Sequence, residues 1–359
     1  MRKGILGFAA VSVAAALSLT ACGDDKGSGS GSDAAAKGKI GVILPDTKSS
    51  VRYESFDRPL LEKAFKAAGV KYDIQNAEGS TQRFQTIADQ MITGGVTVLL
   101  VDGLDSNSAA AVQRKAQSQG VKTIDYDRLT LGGVADYYVS FDSTKVGEEL
   151  GKGLQKCLGD KKANIAYLNG AATDNNATLF AQGAHNILDK VPNYTKVAEQ
   201  AVPDWDNQKA ATIFEQIYTQ QGGKVDGVLA ANDGLANSAI SILKKNGEAG
   251  KVPVTGQDAS LQGLQNILDG TQCMTVYKPV NQEADAAAKL ALSLLKGEKA
   301  QTNSTINDPQ GKRDVPSVFI PVIPTFKDGV KKVVGDGFVN KADLCKGAYA
   351  KKCADAGIQ

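Results

Sequence analysis

A chain of 359 residues with 42% apolar content is long enough for two domains and too apolar for disorder to be its main state. Its 41 Lys and Arg face 39 Asp and Glu, and no basic cluster stands out, so nucleic acid is not an expected partner. His185 is the single histidine, which excludes a His-based triad or a His-rich metal site; no metal or other cofactor is expected.

The N-terminus carries an address. Arg2 and Lys3 precede an apolar run from Ile5 to Leu19 that ends in Leu19-Thr20-Ala21-Cys22, the pattern of a signal peptide over residues 1–21. The ending resembles a bacterial lipobox, which implies that cleavage leaves Cys22 as a lipid-modified N-terminus on the outer face of the cell membrane. Residues 22–38 are polar, rich in Gly and Ser and without periodicity, as a flexible tether requires. Loss of Arg2 and Lys3 brings the basic count from 41 to 39, equal to the 39 acids, and a neutral ligand is predicted. Four cysteines follow the tether, Cys157, Cys273, Cys345 and Cys353, which allow three pairings outside the cytoplasm. Cys345 and Cys353, eight apart, make the easiest loop to close. None sits in a CxxC motif.

From Lys39 short β-branched or aliphatic runs alternate with helical spacing. Strands are predicted at 39–44, 71–75, 96–101, 121–126 and 136–141, with helices at 54–68 and 81–93. In the second helix Phe84, Ile87, Ala88 and Met91 recur three and four apart, Ser80 stands at the cap and Gly94-Gly95 ends the run. The alternation then restarts, with strands at 163–168, 196–201, 225–230, 252–256 and 274–277 and helices at 178–190, 208–220, 234–245 and 261–268. This pattern implies mostly parallel sheets covered on both faces, in two similar α/β lobes. An eight-stranded barrel has similar element counts. It is disfavoured because polar residues follow strand ends in both halves, as two crevices facing one ligand require.

The strongest strand end is Lys122 to Arg128, KTIDYDR, which delivers a carboxylate and a guanidinium side by side at Asp127 and Arg128. An acceptor beside a planar donor fork is what adjacent hydroxyls need. Other strand ends carry Asp46 and then Arg52-Tyr53, Asp102, Asp142, Asn169 and then Asp174-Asn175-Asn176, Asn232-Asp233, Asp258 and Lys278. Helix capping is the plain explanation of Asp46, Asp102, Asp142, Asn169 and Asp233. Arg52, Arg128 and Lys278 have no such reason, since the helix dipole disfavours cations at an N-terminus. No P-loop or dinucleotide fingerprint is present. Carboxylates beside Arg or Lys stay ionised, which suits acceptors better than a general acid, so no enzyme is expected.

With these residues in hand, the chain resembles the bacterial sugar-binding proteins of ABC importers, the ribose and galactose binders' superfamily, and among them the xylose binders. The resemblance spans about residues 39–340 and rests on DYDR at 125–128, YYVSFDSTKVG at 137–147, DNNATLF at 174–180, AANDGLA at 230–236, GQDA at 256–259, GTQCMTVYKP at 270–279 and DVPS at 314–317. It implies a type I periplasmic binding protein fold, two doubly wound parallel-sheet lobes joined by three crossovers near 141–144, 277–280 and 314–317. The first lobe would hold 39–141 and 279–314, the second 142–278 and 315–359.

Carried over position by position, it implies sugar contacts from Arg52, Tyr53, Asp127, Arg128, Asn175, Trp205, Asn232, Asp258 and Lys278, with Asn176 the alternative to Asn175. Trp205, the one tryptophan, would be a platform for the apolar face of a sugar ring. The implied ligand is D-xylose, with glucose or a broader range of aldoses as the alternative. The implied partners are ABC permease subunits, or a chemoreceptor or kinase that reads the closed form of a monomer.

Overall fold

The structure, a computed structural model, describes residues 38–358. The signal peptide, Cys22 and most of the tether lie outside the described residues. In chain order the first strands are β1 Lys39–Leu44, β2 Lys71–Asn76, β3 Val98–Val101, β4 Lys122–Tyr126 and β5 Tyr137–Phe141. Then come β6 Ala163–Asn169, β7 Tyr194–Ala201, β8 Gly227–Ala230, β9 Thr275–Tyr277, β10 Ser304–Asp308, β11 Arg313–Ile320 and β12 Ile323–Thr325. They build two open sheets, not a barrel. One has the order β10-β11-β5-β4-β3-β1-β2, parallel throughout except for β10 against β11. The other has β7-β6-β8, extended by single parallel bridges at Val254 and Gln257 to the antiparallel pair β9-β12. The predicted strand at 252–256 is reduced to these bridges.

The helices are α1 Arg58–Ala67, α2 Thr81–Thr93, α3 Ser106–Ser118, α4 Ser143–Leu158, α5 Asn175–Leu188, α6 Asn207–Gln220, α7 Asp233–Lys245, α8 Leu261–Asp269 and α9 Val280–Leu295. Short α10 Val330–Gly335, α11 Lys341–Leu344 and α12 Tyr349–Asp355 follow. The helix predicted at 54–68 opens instead as a π-helical turn, Tyr53–Asp57. Phe84, Ile87, Ala88 and Met91 of α2 are buried against Ile43, Leu99 and Val101, one face of the first sheet, and the Ser80 hydroxyl caps the helix at Arg83 N. The alternate residues Ile40, Val42 and Leu44 point the other way, onto Ala284, Ala287 and Leu290 of α9. Among the described residues no helix is long and apolar enough to cross a membrane.

The chain changes sheets three times: between Phe141 and α4, between Tyr277 and α9, and between Ile320 and Ile323. The third change comes later than the expected 314–317, and residues 315–320 belong to the first sheet. The reason is register: β11 runs on beside β5 from Ser317 opposite Tyr138 to Ile320 opposite Phe141, so both strands leave the sheet at the same level. Where the chain enters the second lobe, α4 and α5 touch backbone to backbone. A methyl group at Gly147 would sit 2.0 Å from the Phe180 carbonyl oxygen, and one at Gly183 would sit 2.1 Å from that of Thr144. Cys157 is bonded to Cys273 and Cys345 to Cys353.

Candidate functional site

The carboxyl ends of both sheets meet in a cleft, the place where open α/β sheets bind ligands. At the end of β4, Asp127 turns into the left-handed region with φ 59°. Its backbone stays tied to the sheet, the N–H donating to the Val139 carbonyl at 2.9 Å and the carbonyl accepting from Ser140 Oγ at 2.7 Å, while Asn176 Nδ2 of the other lobe donates to the same carbonyl at 2.8 Å. Its carboxylate accepts from Arg52 Nη1 at 2.8 Å and Tyr53 OH at 2.9 Å, with Lys278 Nζ 3.9 Å away. Burial alone would raise its pKa, but the charges of Arg52, Lys278 and Arg128 outweigh that and hold it below the usual carboxylate range.

Arg52 is spent almost wholly on protein. Its guanidinium donates to Asp57 at 2.9 and 2.7 Å and to Glu283 at 2.5 Å, besides Asp127, and Tyr126 OH donates to Asp57. Burial raises the Glu283 pKa, which the Arg52 charge opposes and those of Asp127 and Asp57 reinforce. Arg128 reaches from the first lobe to the second: Nη2 donates to Tyr53 OH at 3.2 Å, Nη1 to the Gly103 carbonyl at 3.2 Å, and Nε lies 3.2 Å from Asp174 of the other lobe.

The second lobe supplies the facing wall. Asp174 caps α5 at Asn176 N and accepts from Trp205 Nε1 at 3.2 Å. Trp205 follows Asp204 with φ 54° and 59°, and its ring lies on the backbone of Gly170, where a methyl group would come within 2.0 Å of it. At the end of β8, Asn232 caps α7 through Oδ1 and sends Nδ2 across the cleft to the Ser49 carbonyl at 3.1 Å. Asp258, at φ 97°, meets Lys278 Nζ at 3.2 Å and Ser50 Oγ of the first lobe at 3.3 Å. Together these groups line one small cavity between the closed lobes.

Of the residues expected from sequence, Arg52, Tyr53, Asp127, Arg128, Trp205, Asn232, Asp258 and Lys278 all line this cavity. Asn175 does not. It borders a neighbouring depression beside Gly103 and Ser106, and Asn176 faces the cleft in its place. The cap fixes this: with Asp174 starting α5, residues 176 and 180 share one helical face, and Phe180 lines the cavity too. Sequence reading also missed Ser49, Ser50 and Gln257 on the wall, and Asp57 and Glu283 behind Arg52. Asp57 and Glu283 leave no local sign, since each is an acid in a helical segment, and Glu283 lies 231 residues from Arg52.

Of the five residues explained above as caps only Asp142 caps a helix, α4 at Lys145 N; Asp46 accepts from Lys48 N and Ser49 N in a loop, Asn169 donates to Glu199, and Asp102 and Asp233 have other roles. Asp102 is fully buried, neither oxygen is hydrogen-bonded, and Asp105 caps α3 instead. Burial pushes its carboxyl well above the ordinary range, against the pull of Arg128 at 3.5 Å. Asp233 accepts from Ser260 N at 2.8 Å, Gln272 Nε2 at 2.8 Å and Thr275 Oγ1 at 2.9 Å, and so holds the turn that presents Asp258. That turn comes so close that a methyl group at Gly263 would lie 2.2 Å from the Asp233 carboxylate. Burial and the Asp258 charge push Asp233 up to about 7 in spite of the three donors.

Residues 40–299 match the family described as the periplasmic binding protein domain. The chain is a periplasmic binding protein. It is 34% identical over 310 residues to the D-xylose-binding periplasmic protein of Escherichia coli, covering 85% of this chain and 92% of that one. A multiple sugar-binding periplasmic receptor of Rhizobium radiobacter is 31% identical, with 87% and 94% covered. A carbohydrate transporter solute-binding protein from Chloroflexus aurantiacus, solved with D-glucose, superposes with a TM-score of 0.78 at 28% identity, covering 85% of this chain and 97% of that one. The fold is that of the type I periplasmic binding proteins, and proteins of this family bind and release solutes without converting them.

Proposed function

We propose that this protein is the solute-binding lipoprotein of an ABC sugar importer, that D-xylose is its ligand, and that the lobes close on the sugar for delivery to the permease. The observation that carries this reading is the alternation of group types around one small cavity. Asp127 and Asp258 accept, Arg128 and Lys278 donate, and Asn232 and Asn176 carry amides that do both, which is the mixture a ring of hydroxyls demands. The Trp205 ring and Phe180 supply the apolar surface for the C–H faces. Charge-assisted bonds of this kind contribute roughly 1.5 to 3 kcal/mol each. The similarity to the D-xylose-binding proteins of Escherichia coli and Haemophilus influenzae, both 34% identical, favours the pentose.

A broader aldose range is the second reading. It is favoured by the multiple sugar-binding relatives from Rhizobium radiobacter and Azospirillum brasilense, each 31% identical. One extra hydroxymethyl group is rejected only modestly by shape alone. Cys22 carries the lipid anchor in this proposal, and the tether gives the body reach above the membrane.

Calorimetric titration of residues 37–359 with D-xylose, D-glucose, D-ribose and L-arabinose tests it. The expected result is xylose binding near micromolar strength, about 8 kcal/mol, lost in Asp258→Ala. Equal affinity for glucose changes the ligand and keeps the class; no heat with any sugar ends the assignment.

A further inference from the structure

The C-terminal segment from Lys327 on lies beyond the stretch matched by the family, and it does more than close the second lobe. It is fastened to that lobe: the Cys345–Cys353 bond staples it, Tyr349 OH donates to Asp269 at the end of α8 at 3.0 Å, and Lys352 pairs with the same carboxylate. From this anchorage Phe338, itself buried, reaches the first lobe. Its ring stacks on Phe56 with centroids 4.6 Å apart and planes 17° apart, and on its other contact lies 5.1 Å from Tyr277.

Both neighbours belong to segments that serve the cleft. Phe56 sits in the π-helical turn Tyr53–Asp57, which contains the Tyr53 hydroxyl and the Asp57 carboxylate that grips Arg52. Tyr277 directly precedes Lys278, on the crossover out of the second lobe. A single ring therefore joins the first-lobe segment to the second-lobe segment when the lobes are closed.

We infer that Phe338 is a positioning residue for the cleft: it holds the Tyr53–Asp57 turn and Lys278 in their closed arrangement and slows release of the ligand. The inference rests on the sugar-binding reading for its kinetics, but its geometry does not depend on which sugar binds. A stacked aromatic pair shifts an equilibrium by about two-fold to ten-fold. The contact exists only between lobes, so its loss falls on dissociation, while association, which starts from open lobes, keeps its rate.

The test uses Phe338→Ala and the conservative Phe338→Tyr, with Phe56→Leu approaching the same contact from the other lobe should the first variant fail to fold. Stopped-flow Trp205 fluorescence reads xylose dissociation, and a pair of spin labels across the cleft reads lobe separation without any sugar. Expected are a dissociation rate raised about five-fold, an association rate within two-fold, a longer label distance, and recovery of all three in Phe338→Tyr. A lower melting temperature with dissociation and label distance unchanged overturns the inference and leaves Phe338 as ordinary packing. If no sugar binds the wild type, the ligand reading falls by itself, and the label distance alone decides for or against the positioning role.

Discussion

Two cations stand at the cleft, and they are held in opposite ways. Arg52 gives four hydrogen bonds to Asp57, Asp127 and Glu283, so its donors go to the protein. Lys278 lies 3.2 Å from one oxygen of Asp258 that has no hydrogen-bond partner, and 3.9 Å from Asp127. A cation whose bonds are already made orients its neighbours; one with bonds to spare is available to a ligand. Both face the same cavity, yet the first belongs to the scaffold of the site and the second to its working surface.

The largest expected effect breaks the Arg52 side. Arg52→Met leaves the acids Asp57, Asp127 and Glu283 buried together without their shared cation, and removing one partner of a buried charge cluster costs roughly 3 to 5 kcal/mol. Urea unfolding should show that loss, together with loss of sugar binding. An unchanged midpoint would sink the scaffold role.

Lys278→Met sharpens the contrast from the other side. Its cost falls on the closed, liganded form, so xylose affinity should drop about ten-fold to a hundred-fold, the worth of a hydrogen bond to a charged group. The unfolding free energy from urea titration should fall by clearly less than for Arg52→Met, and an equal loss would show that Lys278 belongs with Arg52 after all.

The smallest effect concerns Asp233, which supports Asp258 from behind. Its pKa is raised to about 7 by burial and by Asp258. A carboxyl raised in the folded state stabilises fully below its unfolded value near 4, and that stability is lost as pH rises through about 7. Asp258 is the charged group that acts on Asp233, Lys278 pairs with Asp258, and Gln272, Thr275 and Ser260 donate to Asp233. This group should therefore take a modest part of the wild-type stability away between about pH 4 and 7. Asp233→Asn should flatten that part of the curve, as melting temperatures at pH 5 and pH 8 will show. Parallel curves for the two proteins would remove Asp233 from the account.

What the sequence made legible follows from how local each signal was. Asp127-Arg128 announced itself because a cation at a strand end has no capping excuse, and Lys278 for the same reason. The α2 face was readable because four apolar residues at helical spacing have one place to go. Asn175 and Asn176 were not separable in advance, because neighbours on a helix point about 100° apart and the choice depends on where Asp174 starts the first turn. Asp57 and Glu283 were invisible for a different reason. Each contacts Arg52, but Glu283 does so across a separation of 231 residues, and acids in amphipathic helices read as solvated charge. The late third crossover was hidden because β11 simply continues past Pro316 along β5.

The way β5 and β11 finish together at Phe141 and Ile320 also governs how this molecule is made. The core strand order of the first sheet is complete once β5 has emerged, yet one face waits for α9 at 280–295 and its flank waits for β11 at 313–320. Until then the face that carries Ile40, Val42 and Ile124 has Leu61 and Phe65 of α1 beside it but lacks Ala284, Ala287 and Leu290 of α9, while the second lobe is inserted between the halves of the first. Such long-range closure is slow and exposes apolar surface to aggregation. A chain cut anywhere before Leu295 therefore lacks part of the cover of the first lobe as well as its β11 flank.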